Sequence, residues 1–293
     1  MVVSGFEPVA CYHPLIGVVE GRPYTVVPCG VCIGCKLERS RQWAVRCMHE
    51  AQMVGASSFI TLTYNDEKLP VGGSLLHRDF QLFVKRLRKK RGCCRFLMCG
   101  EYGERFSRPH YHACLFGVDF PDKVLWKSSP RRLYQSRELL DLWGLGHVSV
   151  GAVTFESAAY VARYALQKVN GGDAVGHYER VDSLTGEIFT VVPEYTTMSK
   201  KPGLGASWYA RFRGDIFPSD ECVVRGKVCK PPRYYDKLFD REAPDSAELV
   251  RRGRVARALE RRSDNTRRRL EDREVCKKAQ VSLFQKRVFD GGG

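Results

Sequence analysis

The sequence predicts an α+β fold: a central antiparallel sheet with helices packed on it, preceded by an N-terminal Cys-rich element and followed by a basic C-terminal helical tail. Three observations carry the prediction. Between residues 59 and 168, β-rich runs alternate with apolar stripes of helical period. Two of the predicted strands, RFLMCGE (95–101) and HYHACLFG (110–117), are joined only by a short loop, YGERFSRP. That loop is too short for a crossover and implies an antiparallel hairpin. The resulting order, β-α-β-β-α-β-α, is close to a split β-α-β plan, with the helices expected on one face of the sheet.

The elements follow in order. PCGVCIGCK opens with three closely spaced cysteines, and KLERSRQWAVRCMHEAQM (36–53) has Leu37, Trp43, Ala44, Cys47 and Ala51 at near-helical spacing. FITLTY (59–64) is β-rich and ends in the turn residues NDEKLPVGG. In RDFQLFVKRLRKK, Phe80, Phe83, Val84 and Leu87 stand at i, i+3, i+4 and i+7, the stripe of a surface helix. The hairpin comes next, then a helix near 132–142, a strand at HVSVG and a helix at ESAAYVARYALQK. Beyond about residue 215 the pattern weakens. RRGRVARALERRSDNTRRRLEDREVCKK reads as one exposed basic helix with a thin apolar stripe, and FDGGG as a loose tail. Three segments are expected: a Cys-rich knuckle and helix over 1–55, a core over 56–215, and a C-terminal extension over 216–293.

Composition sets the environment. A chain of 293 residues with 43% hydrophobic residues has enough apolar material for one large domain or two small ones. The net charge of +15 points to a polyanionic partner, nucleic acid first, with a membrane surface or simple solubilising charge as rivals. No run of about 18 apolar residues is present and the N-terminus lacks a secretory pattern, so neither a membrane span nor export is expected. The 12 cysteines are then expected as thiols or metal ligands in a reducing cytosol.

Cys29, Cys32 and Cys35 are each two residues apart, with Gly30 and Gly34 supplying tight turns. Thiolates at this spacing suit a structural tetrahedral Zn²⁺ with Cys11, His13 or Cys47 as fourth ligand, Cys11 first. An iron–sulfur cluster or three buried free thiols are the alternatives.

His110 and His112, with Tyr111 between them, share one face of a strand because side chains alternate. The hairpin brings Glu101 beside them, with Glu104 in the loop as the other nearby carboxylate. Two imidazoles and a carboxylate make a mixed site for Mg²⁺ or Mn²⁺ with positions left open for a phosphate. Ordinary polar residues at a strand end are the bland alternative. Tyr160, Tyr164 and Lys168, spaced i, i+4 and i+8, lie along one helix face. They are either a core stripe with a snorkelling lysine or, beside a metal, phenols able to attack phosphorus and hold it covalently. Arg86, Arg88, Lys89, Arg105, Arg108 and Arg163 are candidate DNA contacts.

FITLTY, GEYGERFSRPHYHACLFG and YVARYALQK resemble, in order, the three motifs of the HUH endonucleases that initiate rolling-circle replication. PCGVCIGCKLERSRQWAVRC, RDFQLFVKRLRKK, SKKPGLGASWY and CKPPRYYDKL look like the replication initiators of the gokushovirus branch of the Microviridae, small single-stranded DNA phages. The resemblance implies a nicking-joining enzyme. It would cut one strand at an origin in supercoiled double-stranded DNA, remain joined to the 5′ phosphate through tyrosine, and leave a 3′ hydroxyl. It would later close the displaced single-stranded circle through the second tyrosine. A host helicase and DNA polymerase in the bacterial cytoplasm are implied partners, since the chain has no Walker motif. Two rivals remain at this stage: a non-enzymatic zinc-stabilised nucleic-acid-binding protein, and a metal oxygenase using the two histidines and a carboxylate.

Overall fold

The computed structural model describes residues 11–19, 22–103, 107–129, 131–164, 176–181 and 185–289. In chain order the elements are β1 (Leu15–Val19), β2 (Arg22–Val27), α1 (Ile33–Gln52), β3 (Ser57–Tyr64), α2 (His77–Arg91), β4 (Arg95–Tyr102), β5 (Pro109–Phe116), β6 (Val124–Lys127) and β7 (Leu133–Gln135). They continue with α3 (Arg137–Trp143), β8 (Gly146–Ala152), α4 (Phe155–Tyr164), β9 (Glu179–Val181), β10 (Ile188–Thr190), β11 (Tyr195–Met198), α5 (Ala206–Ile216), β12 (Cys222–Val224), β13 (Lys227–Cys229), α6 (Arg233–Glu242), α7 (Pro244–Glu260) and α8 (Arg267–Phe289). The chain divides into two compact units. One is Arg46–Trp208; the other joins Met1–Val45 to Tyr209–Gly293. The two ends of the chain, expected as separate segments, therefore fall in one unit.

In the unit Arg46–Trp208, β3 sets the frame. Its residues alternate half-buried and buried, as its β-branched and aromatic composition favours. It pairs antiparallel with β5 on one side and β8 on the other. The α+β expectation holds: seven strands form an antiparallel sheet in the order β11-β4-β5-β3-β8-β7-β6. The hairpin β4–β5 is in the predicted register, with Glu101 opposite His110 and Cys99 opposite His112.

Helices cover both faces of this sheet rather than one. Ile60, Leu62, Tyr64, Met98, Tyr111, Ala113 and Leu115 point to one face and pack with Phe80, Phe83, Val84 and Leu87 of α2 and Leu139, Leu142 and Trp143 of α3. Each large side chain buried there contributes about 1.5–3 kcal/mol. The opposite face carries His110, His112 and Glu101 and lies under α4, which reaches Glu101 through Tyr160. The cue for a second layer is in the strands themselves. Leu97, Cys99, Cys114 and Phe116, on the second face of β4 and β5, are as deeply buried as their neighbours, which marks strands covered on both sides.

Three members of the sheet, β6, β7 and β11, were not anticipated. They are three or four residues long, and β6 (VLWK) is exposed throughout. Strands this short carry no usable alternation. The helix read over ESAAYVARYALQK is described as far as Tyr164; Lys168 lies outside the described residues.

In the other unit, the single basic helix predicted beyond residue 245 is two helices, α7 and α8, broken by a 3₁₀ turn at Arg262–Asn265. The break sits at Ser263-Asp264-Asn265-Thr266, residues whose side chains compete with helical backbone bonding. Asp264 pairs instead with Arg269 at the start of α8. Residues 290–293 of the expected tail lie outside the described residues.

Candidate active site

Sheet geometry assembles the site. On β5, His110 and His112 project to the α4 face; β4 places Glu101 opposite His110, and β3 places Thr61 opposite His112. His110 Nε2 lies 2.8 Å and His112 Nε2 3.0 Å from the same oxygen, Oε1 of Glu101. The two imidazole rings meet edge to face, with centroids 4.9 Å apart. The two histidine nitrogens and the carboxylate oxygen all lie within 4.8 Å of one another. Glu101 and His112 are buried, and His110 is nearly so.

The far nitrogens are held too. His110 Nδ1 is 3.0 Å from the carbonyl oxygen of Arg108, and His112 Nδ1 is 2.9 Å from Thr61 Oγ1. A carbonyl only accepts, so His110 Nδ1 must donate. In the neutral ring that leaves the Nε2 lone pair facing a carboxylate, an arrangement that calls for a proton or a cation between them. Burial pushes the Glu101 carboxyl up, but hydrogen bonds from His110 and His112 bring it below its usual value. For His110, burial disfavours the charged form and the bond to Glu101 outweighs it, raising the pKa. For His112 burial prevails and lowers it. Glu101 Oε2 is buried and makes no hydrogen bond among the described residues. Two imidazole nitrogens, a carboxylate and an orphaned buried oxygen fit a divalent cation.

Tyr160, on α4, donates from its hydroxyl to Glu101 Oε1 at 3.2 Å, and its ring packs edge to face on His112 with centroids 5.1 Å apart. It is half-buried rather than locked in the core. Tyr164 follows one turn on and ends the described helix; its side chain is not described. Tyr111 turns to the other face, where its hydroxyl donates to the Leu76 carbonyl (2.8 Å) and contacts Tyr64 Oη (2.9 Å), pinning the histidine strand.

The model of the replication-associated protein ORF2 family matches residues 57–169, a span that contains the whole constellation from Thr61 to Lys168. The chain is 34% identical over 230 residues to replication-associated protein VP4 of Bdellovibrio phage phiMH2K, covering 74% of this chain and 69% of that protein. It is 31% identical over 239 residues to replication-associated protein ORF2 of Spiroplasma virus 4, covering 76% and 70%. The chain belongs to the family of Microviridae replication-associated proteins. A third relative, replication-associated protein ORF4 of Chlamydia phage 1, is 34% identical over 246 residues, covering 76% of this chain and 56% of its own length. No solved structure matches.

In this replication-associated protein the candidate DNA contacts divide. Arg86 bonds the carbonyls of Leu142 and Trp143 at the end of α3, and Arg88 bonds the Cys94 carbonyl twice. Both therefore spend donors on backbone oxygens. Arg108 reaches the Tyr64 carbonyl (2.8 Å) and pairs with Asp66. Lys89 is exposed, Arg163 is half-buried on α4, and Arg105, like Glu104, lies outside the described residues. The Cys29, Cys32 and Cys35 sulfurs converge with that of Cys11, whereas His13 pairs with Glu274 and Cys47 is fully buried elsewhere. Thr61 is the site residue that sequence reasoning missed. Its signal was the alternation of FITLTY, which puts Thr61 and Thr63 on the face opposite Ile60 and Leu62.

Proposed function

We propose that this chain initiates phage DNA replication as a metal-dependent nicking and joining enzyme of the HUH type, acting on a single strand at the origin. The observation that carries the proposal is the meeting of His110 Nε2, His112 Nε2 and Glu101 Oε1 beneath the Tyr160 hydroxyl. Family membership supports the replication role, and the basic charge of +15 supports phage DNA as partner.

His110, His112 and Glu101 would hold Mg²⁺ or Mn²⁺, which when bound polarises the scissile phosphate and offsets charge developing on it. Thr61 and the Arg108 carbonyl orient the two rings. Tyr160 stands where its oxygen reaches a phosphate at that centre. Attack forms a tyrosine O–P bond and breaks the P–O3′ bond. The phenolic proton leaves to solvent, and the departing 3′ oxygen takes one up. The product is a 5′-phosphotyrosine with a free 3′ hydroxyl, the primer for a host polymerase working with a host helicase in the bacterial cytoplasm. Tyr164, one turn on, supplies the second attack that releases a closed circle, and Lys168 belongs to the same face.

The test is incubation of the protein with a labelled single-stranded origin oligonucleotide and Mn²⁺, followed by denaturing electrophoresis. A covalent protein–DNA band that is lost with EDTA, and lost in the Tyr160→Phe/Tyr164→Phe double variant, is expected. Tight binding with no covalent band would leave the non-enzymatic binding protein as the correct reading.

A further inference from the structure

Four thiols meet in the unit that joins the two ends of the chain, outside the span matched by the family model. We infer that Cys11, Cys29, Cys32 and Cys35 hold one structural zinc ion, and that this ion fixes the platform on which the arginine-rich helix α8 docks. The inference is independent of the nicking reaction.

The sulfur spacing is that of a single coordinated ion. Cys29 Sγ and Cys35 Sγ are 4.0 Å apart, as are Cys32 Sγ and Cys11 Sγ, and all four sulfurs lie within 4.8 Å of one another. A tetrahedron with Zn–S bonds of about 2.3 Å has edges of about 3.8 Å, whereas a disulfide would bring two sulfurs to about 2.05 Å. All twelve cysteines are free thiols. Sulfurs gathered this tightly surround one ion and leave no room for a cluster of several irons. The backbone is already turned toward them. Cys32 N–H points at Cys29 Sγ (3.4 Å), Cys35 N–H at Cys32 Sγ (3.5 Å), Cys29 N–H at Cys11 Sγ (3.2 Å) and Tyr12 N–H at Cys32 Sγ (3.5 Å). Such donors stabilise thiolate over thiol. Gly30 makes the turn at φ +80°, a conformation that other residues resist. An all-sulfur, tetrahedral donor set selects zinc among common divalent ions. Binding releases the thiol protons to solvent and changes no oxidation state.

The platform then holds α8. Cys32 is buried with Tyr12 and Leu270 in one small cluster, bordered by Cys11, Cys29, Ile33 and Cys35. One turn further along α8, Glu274 accepts from His13 Nε2 at 2.8 Å. Leu270 and Glu274 are the buried residues among the described side chains of α8. Both contact the segment that carries Cys11, so the helix is held where the ion would fix the chain. Zinc-binding energy at such a site becomes folding energy, here for α8 as well as for the knuckle.

The experiment uses the full chain purified without added metal. Elemental analysis is expected to find one zinc per chain, lost in the Cys29→Ser/Cys35→Ser variant. No metal, or iron in its place, overturns the site. Hydrogen exchange is then compared with and without chelator. Amides of 267–283 are expected to exchange at least tenfold faster in the zinc-free chain, with β3, β4 and β5 unchanged. Equal protection of α8 in both states overturns the coupling. Should chelation expose the sheet as well, the variant Leu270→Ala decides. It is expected to keep its zinc and lose protection in α8 alone, and unaltered α8 protection in that variant overturns the coupling.

Discussion

Thr61 holds His112 from behind, and no contact in the site other than the one between His110 and the Arg108 carbonyl does similar work. Replacing its hydroxyl by a methyl keeps the volume and the strand propensity but frees the imidazole to rotate. Thr61→Val is therefore expected to weaken Mn²⁺ affinity roughly 10–100-fold, measured by metal titration of DNA cleavage, with thermal stability little changed; unaltered affinity would exclude the orienting role. His110→Ala and His112→Ala remove ligands outright and are expected to abolish cleavage while leaving non-specific DNA binding intact. Tyr160→Phe and Tyr164→Phe are each expected to retain some nicking yet fail to release closed circles, and mass spectrometry of the DNA-linked peptide should find adducts on both positions. An adduct confined to one would refute two nucleophiles. The His pair and Glu101 were legible in the sequence because a period of two and one short hairpin loop fix their faces and register. Thr61 was not, since its partnership with His112 depends on β3 pairing with β5 across a gap of 51 residues. Cys11 was one of three candidates for the fourth sulfur until the ribbon β1–β2 folded it back on the knuckle.

Elements succeed or fail on their ends and on their close approaches. Helix α3 starts at Ser136, whose hydroxyl accepts from Leu139 N–H (3.0 Å) and donates to Asp122 (2.7 Å). Ser136→Ala is expected to cost about 1–2 kcal/mol in denaturant titration. Strand β8 starts at Gly146 with φ +150°, where a Cβ would lie 2.2 Å from Asn65 N and 2.4 Å from Thr63 O. These are backbone atoms and have little room to move, so Gly146→Ala is expected to cost at least roughly 1–3 kcal/mol. The strongly patterned elements, β3, α2, β4 and β5, were readable because each is eight residues or longer and buries a regular face. The second helical layer was not, because a strand buried on both faces loses the alternation that would reveal it. His49, near the end of α1, belongs to this scale as well. Its ring stacks on Trp208 at 3.5 Å, and burial holds its pKa down to about 4. A depressed histidine contributes stability that is fully present above the unfolded value of 6.5 and lost as pH falls toward 4. Acid sensitivity of unfolding across that window is expected to be smaller in His49→Phe; an unchanged pH profile would place the sensitivity elsewhere.

At the scale of the whole chain, a net charge of +15 is informative only where the cations are unspent. Many are already paired. Arg254 is held by Asp220 and Asp236, and Arg273 by Asp264, so neither is available to a phosphate without cost. The unit that joins the chain ends contains a cleft of about 1150 Å³ lined by these residues together with Arg39, Arg233 and Arg261. Those last three side chains are exposed and make no hydrogen bond or ion pair among the described residues. They are the ones free to displace counterions from DNA. Replacing all three by glutamine lowers the net charge from +15 to +12, since each substitution removes one positive charge. If each arginine neutralises one phosphate, log affinity plotted against log salt should become shallower by about 0.9 per contact, so by roughly 2–3 in all. Fluorescence anisotropy with duplex DNA over a salt series measures this directly. Cleavage of a saturating single-stranded oligonucleotide should be unchanged, because none of the three belongs to the unit that carries Glu101, His110 and His112. An unchanged salt slope would mean that DNA does not enter this cleft, and a loss of cleavage at saturation would mean that the two units do not divide the work in this way.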